Sequence, residues 1–387
     1  ISNKIGSEKV GSEKKSTLLD TLTHKKIVLN FKEVAKEQAG DIVFSPFSAE
    51  TVLAMTAEGA KGDTLQELVT GASLPQDTQT RQAAFGALIP SLTKPSNGTQ
   101  LLIADRIYVE QGADFRRTAC GVYRAGVQNV NFADTQQTSK LINDWVEKRT
   151  NDKIQNLISP QDISAATAMV LVNTLYLNAS WATPFPKERT SKAPFHTTPN
   201  KTEQIDTMHS VHSYKYFHCG YTKAKYIEIP YKGSNLSMTF ALPDAVDGLE
   251  NMEKKADVVF GDRNYRNTLV SVSIPKFSIS TSIDFTRVLK KLGVETPFSS
   301  SANFSGISNK TDLHISKVQQ KAFINVTESG TEAAAATSVV ISKASVEPSQ
   351  TFNANHPFMY YIKDDESGVI LFAGRFTYLR LEIEEKL

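Results

Sequence analysis

The chain has 387 residues, of which 40% are hydrophobic and 22% are charged, so it can form a sizeable core. Its formal net charge at pH 7 is +2, which gives no general attraction to nucleic acid or to membrane surfaces. No run of about 18 apolar residues is present, so no membrane-spanning helix is predicted. Neither a Pro/Gly-rich boundary nor an internal repeat divides the chain. We expect one mixed domain over 1–387, with a disordered start at 1–15.

Cysteines and glycosylation sequons bear on the cellular location. Cys120 and Cys219 are too few for a disulfide scaffold, and their spacing leaves open whether they pair. The first residues contain no apolar signal core, so a secreted protein would already have lost its signal peptide. The Asn-x-Ser/Thr sequons are Asn97, Asn178, Asn200, Asn235, Asn303, Asn309 and Asn325. Asn325 lies in a predicted strand, where we expect no glycan, but the set is compatible with a secreted glycoprotein.

The first half of the chain shows helices followed by a strand. Residues 44–68 contain two helical patterns, the first entered through Ser45-Pro46 and the second through Asp63-Thr64. A third helix is predicted over 76–92, and the alternating residues 101–109 predict a strand. Apolar residues then recur on one helical face. They are Leu141, Ile142, Trp145 and Val146.

The second half is richer in strands. The elements predicted there are a buried strand over 168–177, a hairpin of 226–230 and 236–242 around Lys232-Gly233, an alternating strand over 269–279, a helix over 286–292 ended by Gly293, and a buried strand over 321–327.

The known signatures of catalytic sites are absent. The sequence contains no Gly-x-Ser-x-Gly, His-Glu-x-x-His, Gly-x-Gly-x-x-Gly or phosphate-loop motif. One group of side chains could in principle bind zinc: His209, His212, His218 and Cys219. Their spacing matches no standard zinc site, so we interpret them as strand and loop residues. We therefore predict a protein that is not an enzyme and that has no metal and no cofactor.

Residues 328–345 fit no ordinary element. Ala333 to Ala336 favour a helix, Thr337 to Ile341 favour a strand, and Gly330 interrupts either one. An Ala/Ser/Thr-rich segment is often a linker, but only a short, densely apolar tail follows this one. With a period of two, one face contains only small or apolar residues: Thr331, Ala333, Ala335, Thr337, Val339 and Ile341. Such a segment could enter a sheet with this face inward.

The segment resembles the hinge of the inhibitory serpins, whose pattern is Glu-x-Gly-Thr-Glu followed by small residues. Further matches occur in the family's order along nearly the whole chain. They are Phe44-Ser-Pro-Phe-Ser48, Ile142-Asn-Asp-Trp-Val-Glu-Lys-Arg-Thr150, Leu171-Val-Asn173 with Trp181, Phe352-Asn-Ala-Asn-His-Pro-Phe358 and Leu371-Phe-Ala-Gly-Arg375. The chain is most similar to secreted insect serpins.

The resemblance implies an α+β serpin fold with three β-sheets, about eight or nine helices and an exposed reactive-centre loop at about 328–351. It implies an inhibitor of an extracellular serine protease that forms a covalent one-to-one complex and then inserts its cleaved loop into the main sheet. Insertion of the serpin loop is an established case of strand addition and of the release of stored strain. We expect a secreted monomer that regulates an immune or other proteolytic cascade.

The resemblance also assigns residues to regions. The hinge consists of Glu328, Gly330, Thr331, Glu332, Ala333, Ala334, Ala335, Ala336 and Thr337. The shutter, where the main sheet parts, contains Ser45, Ser48, Asn173 and Gln320, and the breach at the top of the sheet contains Trp181. The family often has His where this chain has Gln320, and Gln can also bond to Asn and Ser.

The attacked bond has two candidates. Family spacing counted from Glu328 gives Ala344–Ser345, which suits an elastase-like protease with a small pocket. A loop one residue shorter gives Lys343–Ala344, which suits a trypsin-like protease with an acidic pocket. We favour Lys343, because a buried Lys–Asp pair discriminates more strongly than a methyl group does.

Two alternatives to a simple inhibitor remain. One is a non-inhibitory serpin that acts as a carrier, storage or signalling protein, which bulky or charged inward hinge residues would favour. The other adds a polyanion such as heparin, or another glycosaminoglycan, as a partner. The segment that binds heparin in some serpins offers only Arg81 here, with Lys94 beyond it. The lysine-rich start of the chain is a second basic region.

Overall fold

The structure of the chain, a computed structural model, describes residues 31–111, 120–308, 313–331 and 347–378. Residues 31–37 are helical. The further helices are α1 (Pro46–Ala57), α2 (Gly62–Gly71), α3 (Thr78–Leu92), α4 (Cys120–Tyr123), α5 (Thr135–Arg149), α6 (Leu249–Lys254), α7 (Ala256–Val259) and α8 (Phe285–Lys291). Short 3-10 turns occur at Pro160–Asp162, Lys187–Arg189 and Thr296–Phe298.

The strands supply two hydrogen-bonded sheets. They are β1 (Ile42–Phe44), β2 (Thr99–Glu110), β3 (Gly126–Val130), β4 (Met169–Ser180), β5 (Ser191–Thr198), β6 (Lys201–Cys219), β7 (Ala224–Pro230), β8 (Leu236–Pro243), β9 (Arg266–Pro275), β10 (Phe277–Asp284), β11 (Lys317–Thr327), β12 (Gly330–Thr331), β13 (Gln350–Asn353), β14 (Phe358–Asp364) and β15 (Ile370–Phe376).

The main sheet has six described strands in the order β10-β11-β12-β4-β2-β3. The other sheet follows the order β1-β15-β14-β8-β7-β6-β9-β13, with β5 also paired to β6. Strand β6 is 19 residues long and joins two groups of strands, β1-β15-β14-β8-β7 and β5-β9-β13. The three expected sheets are thus the main sheet and these two groups, which share β6. The α+β serpin fold is confirmed.

Local signals set several boundaries as predicted. Ser45 caps α1, because its hydroxyl accepts from the Ser48 N–H at 3.1 Å, and Pro46 occupies the first helical position. Helix α2 begins at Gly62, one residue before the predicted Asp63. The alternation over 269–279 proves to be two strands, because β9 ends at Pro275 and β10 belongs to the main sheet.

Helix α1 forms the centre of the core. Every one of its residues is buried, and it packs against β15 of one sheet and against β2 and β4 of the other. On the opposite face of the main sheet, α5 buries Ile142 and Val146 against Tyr108, Val170 and Val172. The main sheet is therefore covered on both faces, so any strand added to it enters a packed environment. Within the described ranges, no helix is long and apolar enough to cross a membrane.

Candidate functional site

The hinge strand β12 lies between β11 and β4 at one end of the main sheet. It is antiparallel to both, with Thr331 opposite Val326 on one side and Ala179 on the other. Further down, β11 and β4 pair directly and in parallel, from Lys317 opposite Val170 to Ala322 opposite Leu175. The main sheet is therefore parted at one end, where Gly330 and Thr331 lie between β11 and β4, and closed where 317–322 of β11 pairs directly with 170–175 of β4.

The hinge requires a glycine at the first position of β12. Gly330 has a φ of +147° and is buried between the two neighbouring strands. A Cβ there would lie 2.0 Å from the Ala179 carbonyl oxygen and 2.7 Å from the Ser180 Cα, both of which are backbone atoms that cannot move aside cheaply. The glycine thus lets the chain turn back from β11 and enter the sheet.

Thr331 points into the core below the breach. Its side chain is 1% exposed, and its hydroxyl lies 2.6 Å from the hydroxyl of Tyr231. Burial raises the pKa of Tyr231, so this phenol stays neutral and can donate or accept. The Tyr231 ring stacks on Trp181 with a centroid distance of 4.6 Å and an interplanar angle of 12°. The pocket that receives Thr331 is therefore closed, and these two walls of it are aromatic and neutral.

Trp181, which the sequence analysis assigns to the breach, makes two hydrogen bonds to the hinge turn. Its indole Nε1–H donates to the Thr327 carbonyl at 2.9 Å, and its backbone N–H donates to the Ser329 carbonyl at 2.9 Å. The Trp181 side chain is fully buried. One residue thus joins the end of β4 to both sides of the turn that precedes Gly330.

Glu328 anchors the turn electrostatically. Its carboxylate accepts from the Thr190 hydroxyl at 2.8 Å and lies 3.1 Å from the Nζ of Lys276, the residue between β9 and β10. Burial by itself would raise the pKa of Glu328, but hydrogen bonds from its own backbone N–H and from Thr190, together with the Lys276 charge, lower it. The carboxylate is therefore ionised at neutral pH.

The predicted shutter residues meet in the core beneath the closed part of the main sheet. Gln320 accepts from the Ser45 N–H at 2.8 Å and donates to the Ser45 carbonyl at 2.8 Å and to the Asn173 Oδ1 at 2.6 Å. Gln320 and Asn173 are directly opposite each other on β11 and β4. The amide of Gln320 thus links the start of α1 to both β11 and β4.

Asp105 belongs to this cluster, although the sequence-based assignment does not include it. It accepts from the Ser48 hydroxyl at 2.8 Å and lies opposite Asn173 on β2. Burial raises the pKa of Asp105 to about 8, against the opposing hydrogen bonds from Ser48 and the Thr174 backbone. The sequence does contain a signal, because the period-two pattern of 101–109 places this carboxyl on the apolar face of its strand.

The remaining predicted site residues are not all described. Hinge residues 332–337 and the three residues of the attacked bond, Lys343, Ala344 and Ser345, lie outside the described ranges. The histidines considered as zinc ligands are spread along β6. His209 contacts Ser273, and His218 lies 2.9 Å from Asp244. No group of three or more metal-binding side chains occurs in the described residues, and Cys219 is a free thiol.

A main sheet that is parted at one end by Gly330 and Thr331, with a closed pocket around Thr331, is an arrangement that can accept a further strand. The family model described as "Serpin (serine protease inhibitor)" matches residues 28–379, and the chain belongs to the serpin family.

Known proteins of this family resemble the chain over most of its length. Antichymotrypsin-2 of Bombyx mori is 35% identical over 357 residues, which is 89% of this chain and 94% of that protein. Serpin48 is described as a highly specific serpin in the insect Tenebrio molitor. Its crystal structure has a TM-score of 0.88 and 37% identity, and the match covers 95% of this chain and 99% of the Serpin48 chain. The structure of human thyroxine-binding globulin has a TM-score of 0.85 and 26% identity, and the match covers 94% of this chain and 99% of that chain.

Proposed function

We propose that the chain inhibits a serine protease of trypsin-like specificity by covalent trapping. The observation that supports this most directly is β12, because Gly330 and Thr331 already occupy strand positions between β11 and β4. The protease's serine oxygen attacks the carbonyl carbon of Lys343, the peptide bond to Ala344 breaks, and the amine leaves with a proton from the protease. The product is an ester between the two proteins.

The register of β12 supports a definite alignment for the rest of the hinge. If the antiparallel pairing extends, Glu332 comes opposite Asn325 and Asn178, and Ala333 comes opposite Ile324 and Leu177. Side chains alternate between the two faces of a strand, so Ala333, Ala335 and Thr337 follow Thr331 inward. All of them are uncharged, and none is larger than Thr331. The hinge can therefore enter the sheet without burying an unpaired charge.

Insertion traps the protease because it deforms the active site that would hydrolyse the ester. Loss of a single oxyanion-hole donor slows acyl transfer about 10²–10³-fold. We expect the distortion to displace such donors, so that the ester outlives the encounter. The fraction of protease that is trapped depends on the rate of insertion relative to the rate of ester hydrolysis. Every residue that changes the rate of sheet opening therefore also changes the efficiency of inhibition.

The first test is for the covalent complex. Mixed with trypsin-like proteases, the chain is expected to give an SDS-resistant one-to-one band, because the inward hinge residues are uncharged and small. The same protease with its catalytic serine replaced by alanine is the control and should give no such band. Cleavage of the loop without a covalent band, with every serine protease tested, would instead support a carrier, storage or signalling role.

The second test locates the attacked bond. Mass spectrometry of the C-terminal peptide released in the complex is expected to show an N-terminus at Ala344. Lys343→Ala should lower the rate constant of inhibition of trypsin-like enzymes by roughly 10²-fold or more, while Lys343→Arg should retain it, because an acidic pocket needs a cationic side chain. A peptide that begins at Ser345 would assign the cleavage to Ala344 and an elastase-like protease.

We also propose that the protein is secreted, monomeric and glycosylated. Asn97, Asn200, Asn235 and Asn303 are exposed, which suits attached glycans. Asn178 and Asn325 lie on β4 and β11 beside the parted end of the sheet, where a glycan would obstruct insertion. A glycosaminoglycan partner stays a proposal, for which salt-dependent retention on heparin is the test. Arg81 does not serve it, because its guanidinium is buried against Glu58 at 2.8 Å.

A further inference from the structure

A cavity of about 320 Å³ lies between β2, the start of β3 and the C-terminal half of α5. Three arginines line it, namely Arg106, Arg124 and Arg149, and Asp105 is the one carboxyl among the described lining residues. The shutter contacts Asp105 from its other side, through Ser48. The cavity therefore adjoins the shutter at Asp105 and has an excess of positive charge.

Arg106 is held rigidly in this cavity. Its Cζ lies 4.1 Å from the centroid of the Trp145 ring, and its Nη1–H donates to the Gln128 Oε1 at 2.6 Å. Gly126 makes room for the guanidinium, because a Cβ there would lie 3.1 Å from the Arg106 Nε. The Nε–H is buried and makes no hydrogen bond of normal geometry to a described residue. The Tyr108 hydroxyl beside it is also buried, and the Arg106 guanidinium lowers the pKa of Tyr108 against the effect of burial. A fixed cationic donor without an acceptor is costly to bury, and an anion would offset that cost.

The other two arginines are also not neutralised within the described ranges. Arg124 donates to the neutral hydroxyl of Thr93 at 3.0 Å, and Arg149 forms no ion pair with a described residue. Both are exposed at the mouth of the cavity. Burial raises the pKa of Asp105 to about 8, so its carboxyl is largely protonated at pH 7 and cancels little of their charge.

We propose that this cavity binds a small oxyanion, a carboxylate, sulfate or phosphate group, and that the bound anion fastens α5 to the main sheet and slows loop insertion. Guanidinium groups match the geometry of such oxyanions better than that of chloride. The ligand would contact Arg106 on β2, Arg149 on α5 and Arg124 before β3, so it would connect three elements through charged hydrogen bonds.

The link to insertion lies in the segment that follows α5. This segment crosses the closed part of the β4–β11 junction, where Lys321 donates to the Gln155 carbonyl at 2.6 Å and Lys317 pairs with Asp162 at 2.5 Å. Phe323 of β11 packs against the same apolar cluster as α5. A strand that enters below β12 has to displace this segment, and fastening α5 opposes the displacement. The effect on inhibition rests on the proposed function.

Calorimetric titration of the whole chain with sodium sulfate, sodium phosphate or sodium acetate, at an ionic strength fixed with sodium chloride, tests the site directly. We expect saturable one-to-one binding of at least one of these anions. Arg124→Gln combined with Arg149→Gln should weaken binding at least about tenfold, because two charged donors are lost, and both side chains are exposed. The matched control is Lys148→Gln, an exposed charge on α5 outside the cavity, with a change below about twofold.

The proposed site is wrong if no anion binds saturably, or if the double variant binds as well as the control does. The regulatory part is measured separately, as the number of inhibitor molecules consumed per protease molecule. A saturating anion should raise this number at least about twofold in the control variant and leave it unchanged in the double variant. Binding without this increase overturns the regulatory part alone. Binding by a chain that traps no protease would leave the site standing and refute the proposed function.

Discussion

Replacing Thr331 by arginine is expected to convert the protein from an inhibitor into a substrate. Thr331 occupies a closed pocket beside Tyr231 and Trp181 and is 1% exposed. Among the described residues, no carboxylate hydrogen-bonds to this threonine, so an arginine would bury an unpaired charge in the pocket. We expect the variant hinge to leave the pocket before cleavage, and insertion of the cleaved loop then has to bury that charge. That costs on the order of several kcal/mol, and each 1.4 kcal/mol slows insertion about tenfold relative to hydrolysis.

The measurement is the stoichiometry of inhibition together with the yield of the SDS-resistant band. We expect the variant to be cleaved at the same bond as the original chain, with at least roughly tenfold more molecules consumed per protease molecule inhibited. Thr331→Ser is the matched control, since it keeps the hydroxyl that contacts Tyr231 and adds no bulk. An unchanged stoichiometry in Thr331→Arg would show that hinge insertion does not determine the outcome.

Asp105→Asn is expected to stabilise the native protein increasingly as the pH rises. The folded pKa of Asp105 is about 8, against 3.8 for an ordinary aspartate. Between these values the unfolded chain releases a proton that the native protein retains. The free energy of unfolding of the original chain therefore falls as the pH rises from about 4 to 8, by up to about 1.4 kcal/mol per pH unit. Asparagine removes this loss and still accepts from Ser48.

The pH series of thermal unfolding midpoints, at one scan rate, measures this effect. The free energy of unfolding of Asp105→Asn should exceed that of the original chain only slightly near pH 4–5 and by several kcal/mol at pH 8. The unfolding midpoint of the variant should then be several degrees higher at pH 8. Asp63→Asn, a change at an exposed position of α2, is the control and should give a nearly constant difference. A constant difference for Asp105→Asn as well would mean that the buried carboxyl does not retain its proton.

The same substitution connects stability with function. Asp105 and Ser48 lie behind Asn173, which bonds to Gln320 across the β4–β11 junction. A more stable shutter makes the closed sheet more favourable relative to the opened sheet. In Asp105→Asn we therefore also expect more molecules to be consumed per protease molecule inhibited at pH 8 than at pH 5, relative to the original chain.

Several features of the hinge follow from the sequence alone, because they depend on residues close together in the chain. Gly330 is required by a local backbone conformation that other residues avoid. The period of two from Thr331 identifies the inward face whatever the surrounding sheet. The capping of α1 by Ser45 and the hairpin of β7 and β8 are equally local. The inward face of this segment and the helix boundaries could thus be predicted without knowing what they contact, whereas its role as a hinge is implied by the resemblance to serpins.

Partners that are distant in the chain could be decided only by the tertiary structure. The bond from Ser45 to Gln320 spans 275 residues, that from Gln320 to Asn173 spans 147, and that from Ser48 to Asp105 spans 57. A periodic pattern specifies which face of a strand is buried but not which groups that face will meet. The sequence could therefore mark Asp105 as a carboxyl on an apolar face, yet its raised pKa arises from burial among atoms supplied by other elements.

The division of 269–279 and the depth of hinge entry depend on the same kind of information. The alternation changes phase at Pro275, because β9 buries even-numbered residues up to Ile274 and β10 buries odd-numbered residues from Phe277. Only the tertiary structure shows that the two strands belong to different sheets. The sequence likewise marks 331–341 as able to enter a sheet but does not specify how deep that entry goes. In the fold, the direct pairing of β11 with β4 below that point and the segment after α5 that crosses it oppose further entry. Whether a strand enters the sheet depends on all the contacts that it would replace, and only the folded chain brings those contacts together.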